Sequence, residues 1–279
     1  MPESESIGLW TEIKLQIIRK YAAAYTTILK EQRWCKGYAY IDAFAGPGEF
    51  TSKETPNRIV KGSPVNALEI QNKFSEYHFI DIDPGKIDHL KQLTAQKHRA
   101  TNIHFHIGDA NEILQKAIIP HFQWDSCKRA LCILDPYGAD AEWATTEAIG
   151  RAKTMDALIN FPLMGINRNA ALKRLEASNP SEGARLTKIW GDESWKKLAY
   201  VEQQGLFETS ELIKKGDANE TLKRGFAVRL KDTARFEYVP NPILMRNSKN
   251  GPLYYLFFAS HKPVAQNIIR DIFKQWGGT

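Results

Sequence analysis

Five short apolar segments recur along the chain, at 38–45, 77–83, 102–109, 129–137 and 156–163, and the stretches between them carry apolar residues at helical spacing. Most of the five are near-continuous in apolar residues, as strands covered on both faces must be, and several end in an acid. Strand then helix, repeated, predicts a doubly wound α/β sheet, because parallel neighbours need a crossover of helix length. Helices are expected over 63–73, 84–97, 110–119 and 140–152. Pro84 suits a first helical turn, and Asp83 before it is a candidate N-cap. Ahead of the sheet, Ile13, Ile17, Tyr21, Tyr25 and Ile28 form the apolar stripe of an amphipathic helix over 10–29.

From 165 to 235 the alternation breaks. Helix-like runs there are split by Asn179-Pro180, Gly191, Gly205 and Gly216. The segment holds 14 Lys or Arg against 10 Asp or Glu, an excess of +4. It reads as a helical insertion, either facing a substrate or forming a solvated cap. The chain then returns to sheet, with 236–246 and 252–260 joined through Asn250-Gly251 as an antiparallel hairpin, and a closing helix over 263–276. The expected fold is therefore α/β and Rossmann-like: a doubly wound, seven-stranded, mostly parallel sheet with a C-terminal antiparallel hairpin and a helical insertion. Its parts would be an N-terminal helical segment (1–37), a sheet domain (38–164 with 236–279) and the insertion (165–235). A chain of 279 residues with 43% apolar content can bury one such core.

Placed on that sheet, four acids fall at successive carboxyl ends. The first strand runs Tyr40-Ile41-Asp42-Ala43-Phe44-Ala45-Gly46-Pro47-Gly48, an acid followed by a tight loop whose glycines allow sharp turning and close approach to a ligand. Asp42 can accept from an ammonium or hydroxyl donor. Asp81 sits where a second-strand acid takes both ribose hydroxyls, and Asp109 can accept from an adenine amino group while Ala110 or Asn111 offers a backbone donor. Any one of these acids also suits a helix N-cap. The fourth tip, Leu134-Asp135-Pro136-Tyr137-Gly138, can hold an exocyclic amine: Asp135 accepts its hydrogens with a main-chain carbonyl, and Tyr137 stacks on the base. Gly46-Pro47-Gly48 lacks the third glycine of the dinucleotide fingerprint, which disfavours an NAD-type dehydrogenase.

Other features narrow the class. Cys35, Cys127 and Cys132 are few, odd in number and without a Cys-x-x-Cys pair, so reduced thiols are expected. His104 and His106 share one strand face, yet a metal pair there has no third ligand at fitting spacing in the sequence; structural histidines are expected. No run approaches the roughly 18 apolar residues that span a bilayer. The polar, acidic start lacks a signal-peptide core, and a cytoplasmic protein is expected. A formal charge of +6 permits a polyanionic partner.

With the four tips in order, the chain resembles the class I S-adenosylmethionine-dependent methyltransferase superfamily, and within it the three-Cys-motif partner protein family. The likeness runs over nearly the whole chain: Trp10-Thr11-x-x-Lys14, the 40–48 motif, Gly62-Ser63-Pro64, Phe79-Ile80-Asp81, Leu134-Asp135-Pro136-Tyr137-Gly138, Leu158-Ile159-Asn160-Phe161, and Met245-Arg246-Asn247 with Leu253-Tyr254-Tyr255-Leu256-Phe257-Phe258-Ala259. The resemblance implies S-adenosylmethionine as cofactor. Asp42, Phe44, Gly46 and Gly48 would hold its methionine part, Asp81 the ribose, and Asp109 with Ala110 the adenine. Asp135, Pro136 and Tyr137 would face the acceptor, an exocyclic amine of a nucleic-acid base or nucleoside in DNA or RNA. It also implies a radical-S-adenosylmethionine-like partner protein that carries the three cysteines of the family name, which are not Cys35, Cys127 and Cys132. A non-catalytic partner subunit on the same fold is the alternative. Adenine amino-methyltransferases usually carry two prolines between the acid or amide and the aromatic. The single Pro136 looks more like the motif of transfer-RNA guanine-amino methyltransferases.

Overall fold

In the computed structural model, the structure describes residues 6–55, 57–136, 140–163, 180–204, 210–247 and 250–277. Its elements in chain order are β1 (Ser6–Ile7), α1 (Leu9–Leu29), β2 (Gly37–Asp42), β3 (Glu49–Ser52), β4 (Ile59–Lys61), α2 (Ser63–Leu68), β5 (Glu76–Asp81), α3 (Pro84–Ala95), β6 (Ile103–Ile107) and α4 (Ala110–Ile113). There follow β7 (Lys128–Leu134), α5 (Trp143–Ala152), β8 (Met155–Pro162), α6 (Pro180–Trp190), α7 (Trp195–Ala199), β9 (Tyr200–Gln204), β10 (Ser210–Lys214), α8 (Ala218–Asp232), β11 (Ile243–Arg246), β12 (Pro252–Ala259) and α9 (Pro263–Lys274).

Seven strands form the main sheet in the order β11-β12-β8-β7-β2-β5-β6. The five strands from β8 to β6 run parallel, and β12 is antiparallel to both β8 and β11. The expected sheet, with its C-terminal antiparallel hairpin, is thus present. From β2 the chain winds outward to β5 and β6, then returns to β7 and β8 on the other side. The order reverses between β2 and β7, and a crevice opens at the carboxyl ends of the strands at such a point.

The two faces are covered by different helices, which explains the near-continuous apolar strands. In β7, Ala130, Cys132 and Leu134 face one cluster with α5, α6 and α8, while Leu131 and Ile133 face a second with α1, α2, α3 and α9. The insertion joins the first cluster directly. Phe226 of α8 lies 4.5 Å from Phe161 and 5.1 Å from Phe257 between ring centroids, with Trp190 at 6.0 Å. Each such pair contributes about 0.5–1.5 kcal/mol beyond area burial.

Three local expectations are revised. The helix at 63–73 stops at Leu68, and the chain turns so that Ile70 and Phe74 bury. That over 110–119 is one α-turn to Ile113, a π-turn (Leu114–Ile118) and a 3-10 turn (Ile119–Phe122), since Pro120 has no N–H to continue an α-ladder. The insertion also contains an antiparallel ribbon, β9 with β10. A small three-stranded sheet, β1-β3-β4, was not expected at all; β3 and β4 lie between Gly48 and Gly62, and β1 adds in parallel to β3 from ahead of α1.

Candidate functional site

Four of the predicted acids lie at neighbouring tips of the sheet. Asp42 ends β2 and Asp81 ends β5; Asp109 follows β6 by two residues, and Asp135 follows β7 directly. Parallel register brings these ends together, with Asp42 opposite Phe79 on one side and Ile133 on the other.

The loop after β2 is built into this edge. Ala43 N–H donates to Ile133 O at 3.1 Å and Ala45 N–H to Ile80 O at 2.8 Å, so the loop bridges both neighbouring strands. Gly46, at φ +63°, then turns its N–H onto Asp81 Oδ2 at 2.9 Å. Gly48 has φ +89°, and a Cβ there would stand 2.5 Å from Leu90 Cδ1 of α3. Its need for glycine is packing of the loop on a helix, where the sequence suggested close approach to a ligand. Gly62 N–H donates to Gly48 O at 2.7 Å, tying the start of α2 to the same loop.

Asp42 has no exposed surface. Burial pushes its carboxyl up to about 7, opposed by the Ser63 hydroxyl and the Phe44 and Tyr40 donors and reinforced by neighbouring Asp135. Asp81 uses Oδ1 to accept from Asp83 N–H at 2.9 Å, leaving lone pairs on both oxygens at the edge. Asp83 itself caps α3 through Gly85 N–H at 2.8 Å, as the sequence suggested. Asp109 is exposed and caps α4, accepting from Asn111 at 2.8 Å and Glu112 at 3.0 Å; Ala110 beside it is buried. The N-cap reading of Asp109 therefore holds, at the tip of β6, where the preceding Gly108 N–H donates to Asp81 O at 3.1 Å.

At the fourth tip, Asp135 Oδ2 is ion-paired with Lys14 Nζ and Oδ1 accepts from Asn160 Nδ2 at 2.9 Å. Lys14 comes from α1, is buried, and lies 5.3 Å from the Tyr254 ring. Burial disfavours its charge, but the Asp135 carboxylate more than compensates and holds its pKa above the ordinary lysine value. Asn160 Oδ1 is buried without a hydrogen-bond partner, an acceptor aimed from β8 beside Asp135. Pro136 follows Asp135; Tyr137 and Gly138 lie outside the described residues. Lys14 appeared in the sequence only within a motif, and its role was not readable there, because its partner is 121 positions away. Asn167 and Arg168, which follow β8 in the sequence, lie outside the described residues. Arg246 is occupied in the hairpin turn, donating to Asn250 O at 2.9 Å.

A cavity of about 230 Å³ lies beside α1, lined by Glu12, Arg19, Arg58, Lys61 and Asn66 among others. Arg58 pairs with Glu12, and Lys61 pairs with Glu69 at 2.6 Å, so much of its charge is internally matched. Cys35, Cys127 and Cys132 are free thiols. Among the described residues no helix is long and apolar enough to cross a membrane.

No family model matches the chain, and no curated protein does. Among solved structures, the chain is similar to a Legionella pneumophila protein (12% identity, covering 79% of this chain and 93% of that one, TM-score 0.38). It is also similar to a proposed S-adenosylmethionine-dependent methyltransferase of Listeria monocytogenes (8% identity, 86% and 98% covered, TM-score 0.38). An S-adenosylmethionine-dependent methyltransferase of Leishmania major shows 8% identity, 89% and 82% coverage and a TM-score of 0.36. All three scores fall below 0.5. The fold class rests on this chain's own strand order and directions.

Proposed function

We propose that this chain is an S-adenosylmethionine-dependent methyltransferase acting on an exocyclic amine of a nucleic-acid base or nucleoside, within the three-Cys-motif partner protein family. One observation supports this most: Asp42, the Gly46–Gly48 loop, Asp81 and Asp109 meet at the carboxyl edge where strand order reverses, and an acceptor pair, Asp135 and Asn160 Oδ1, stands at the next tips. Asp42 would receive the methionine ammonium, Asp81 the ribose hydroxyls, and Asp109 with Ala110 the adenine. Phe44, half-buried beside Asp42, would cover the methionine chain.

When bound, S-adenosylmethionine supplies the methyl sulfonium. The protein's task is to hold an amine nitrogen in line with that methyl, since positioning alone removes much of the barrier to a bimolecular transfer. Asp135 and Asn160 Oδ1 would accept the two amine hydrogens and leave the nitrogen lone pair free. Lys14, ion-paired with Asp135, fixes it in place.

The same ion pair favours a second reading, a non-catalytic subunit that recognises nucleic acid or a radical-S-adenosylmethionine-like partner: Asp135 is already neutralised by Lys14. Calorimetric titration with S-adenosylmethionine and S-adenosylhomocysteine, followed by tritiated-methyl transfer to pooled DNA and transfer RNA, separates the two. Binding with transfer supports the enzyme, binding without transfer to either pool supports the subunit, and absence of binding overturns the cofactor assignment.

A further inference from the structure

Three histidines lie on one face at the free edge of the sheet, apart from the strand-tip crevice. His104 and His106 alternate along β6, the edge strand, and His78 on β5 stands in register opposite His104. The rings stack, His78 on His104 at 4.7 Å and on His106 at 5.4 Å between centroids. The ligands that the sequence lacked come from the neighbouring strand: Glu76, two residues before His78, points to the same face.

Close polar contacts link this group. Glu76 Oε1 accepts from Lys128 Nζ at 3.1 Å, while Oε2 lies 3.7 Å from His78 Nε2. His78 Nδ1 is 3.1 Å from His106 Nε2. His78 Nε2 is buried and has no hydrogen-bond partner. Nε2 therefore stands buried beside the Glu76 carboxylate, short of hydrogen-bond reach. A carboxylate oxygen and a buried imidazole nitrogen without a hydrogen-bond partner thus flank one gap, and a cation there would satisfy both through the nitrogen's lone pair.

We infer that Glu76, His78 and His104 form a binding site for a divalent transition-metal ion of the zinc class, through one carboxylate oxygen, two imidazole nitrogens and solvent in the remaining position. One ligand atom from each of the three lies within 4.8 Å of the others. Zinc holds such ligands at about 2.0–2.2 Å, hence roughly 3.4 Å apart, which side-chain rotation reaches from this spacing. His106 and Lys128 would orient the ligands from behind, as groups that fix imidazole tautomer and carboxylate direction do at metal sites. The nitrogen-rich set disfavours magnesium and calcium, which prefer all-oxygen shells. Exposed His104 leaves an entry route. Glu76 begins β5 whereas Asp81 ends it, so the site is separate from the proposed cofactor crevice and would clamp the edge strand that leads to Asp109.

The full chain, stripped with EDTA, is titrated calorimetrically with zinc chloride and melted with and without zinc. One ion per chain and a raised Tm are expected. Glu76→Gln and His78→Gln should weaken binding at least tenfold, and His106→Gln about tenfold through orientation. His104→Gln removes an exposed ring, leaves the fold intact and should also lose binding, so it decides the matter if His78→Gln fails to fold. Cobalt substitution should give the intense visible bands of a low-coordinate ion. No saturable zinc binding, unchanged affinity in His104→Gln, or loss of binding on replacing His89 or His121 instead would overturn the site.

Discussion

At Asp42, a carboxyl with no solvent contact titrates near neutrality because burial penalises its charge more than its hydrogen bonds compensate. A cationic ligand group binds the ionised form. The affinity for S-adenosylmethionine should therefore rise as pH climbs through about 7, by about tenfold between pH 6 and 8 if only the carboxylate binds. Calorimetry across that range checks it, and Asp42→Asn should flatten the profile and weaken binding. The Lys14–Asp135 pair makes a different demand. Removing Asp135 as Asp135→Ala strands a buried ammonium, at a cost of about 3 kcal/mol in urea unfolding. Asp135→Asn keeps a partner oxygen, so it should lose methyl transfer while preserving cofactor binding and most of the stability. The four acids were legible in the sequence because each follows an apolar strand. Lys14 and the open Asn160 Oδ1 were not, since their meaning depends on α1 and β8 converging on β7 from distant parts of the chain.

Among the elements, the loop between β2 and α2 illustrates how local sequence and packing divide the work. Its Gly-Pro-Gly signature was visible, but the ribbon β3–β4 that follows it was not, because pairing of Glu49–Ser52 with Ile59–Lys61 is carried by short, partly exposed strands. Gly48→Ala forces both a positive φ and a 2.5 Å approach to Leu90 Cδ1. It should destabilise the protein by about 2 kcal/mol or more, visible as a lower urea midpoint, and displace the Gly46 amide from Asp81 so that cofactor affinity falls. The 110–119 segment fails as a regular helix for an equally local reason, Pro120, whereas the early end of α2 answers to a tertiary one. Phe74 is needed in the aromatic group with Tyr25, Tyr40 and Tyr77.

For the molecule as a whole, two carboxyls, Asp42 and Asp156, are both raised to about 7, chiefly by burial, with Tyr21 donating to Asp156 at 2.7 Å. Their folded forms bind protons more tightly than the unfolded chain does. Their contribution to stability is thus complete below about pH 4 and is lost as pH rises through 7. Urea midpoints should fall between pH 5 and 8, and Asp156→Asn should reduce that slope; a rising midpoint that the variant leaves unchanged would contradict the assignment. The insertion, expected as either a substrate-facing subdomain or a solvated cap, contributes Trp190 and Phe226 to the same core as β8 and β12. Sequence alone determined the alternation of buried strands and covering helices, the parallel sheet with its closing hairpin, and the acids at the strand tips, because burial on both faces and chain reversal leave local marks in residue type and spacing. Tertiary structure alone decided what those residues meet. It set Lys14 against Asp135, Leu90 against Gly48, and Glu76 with His78 against His104, because contacts between distant segments depend on strand order and register, which no local pattern encodes.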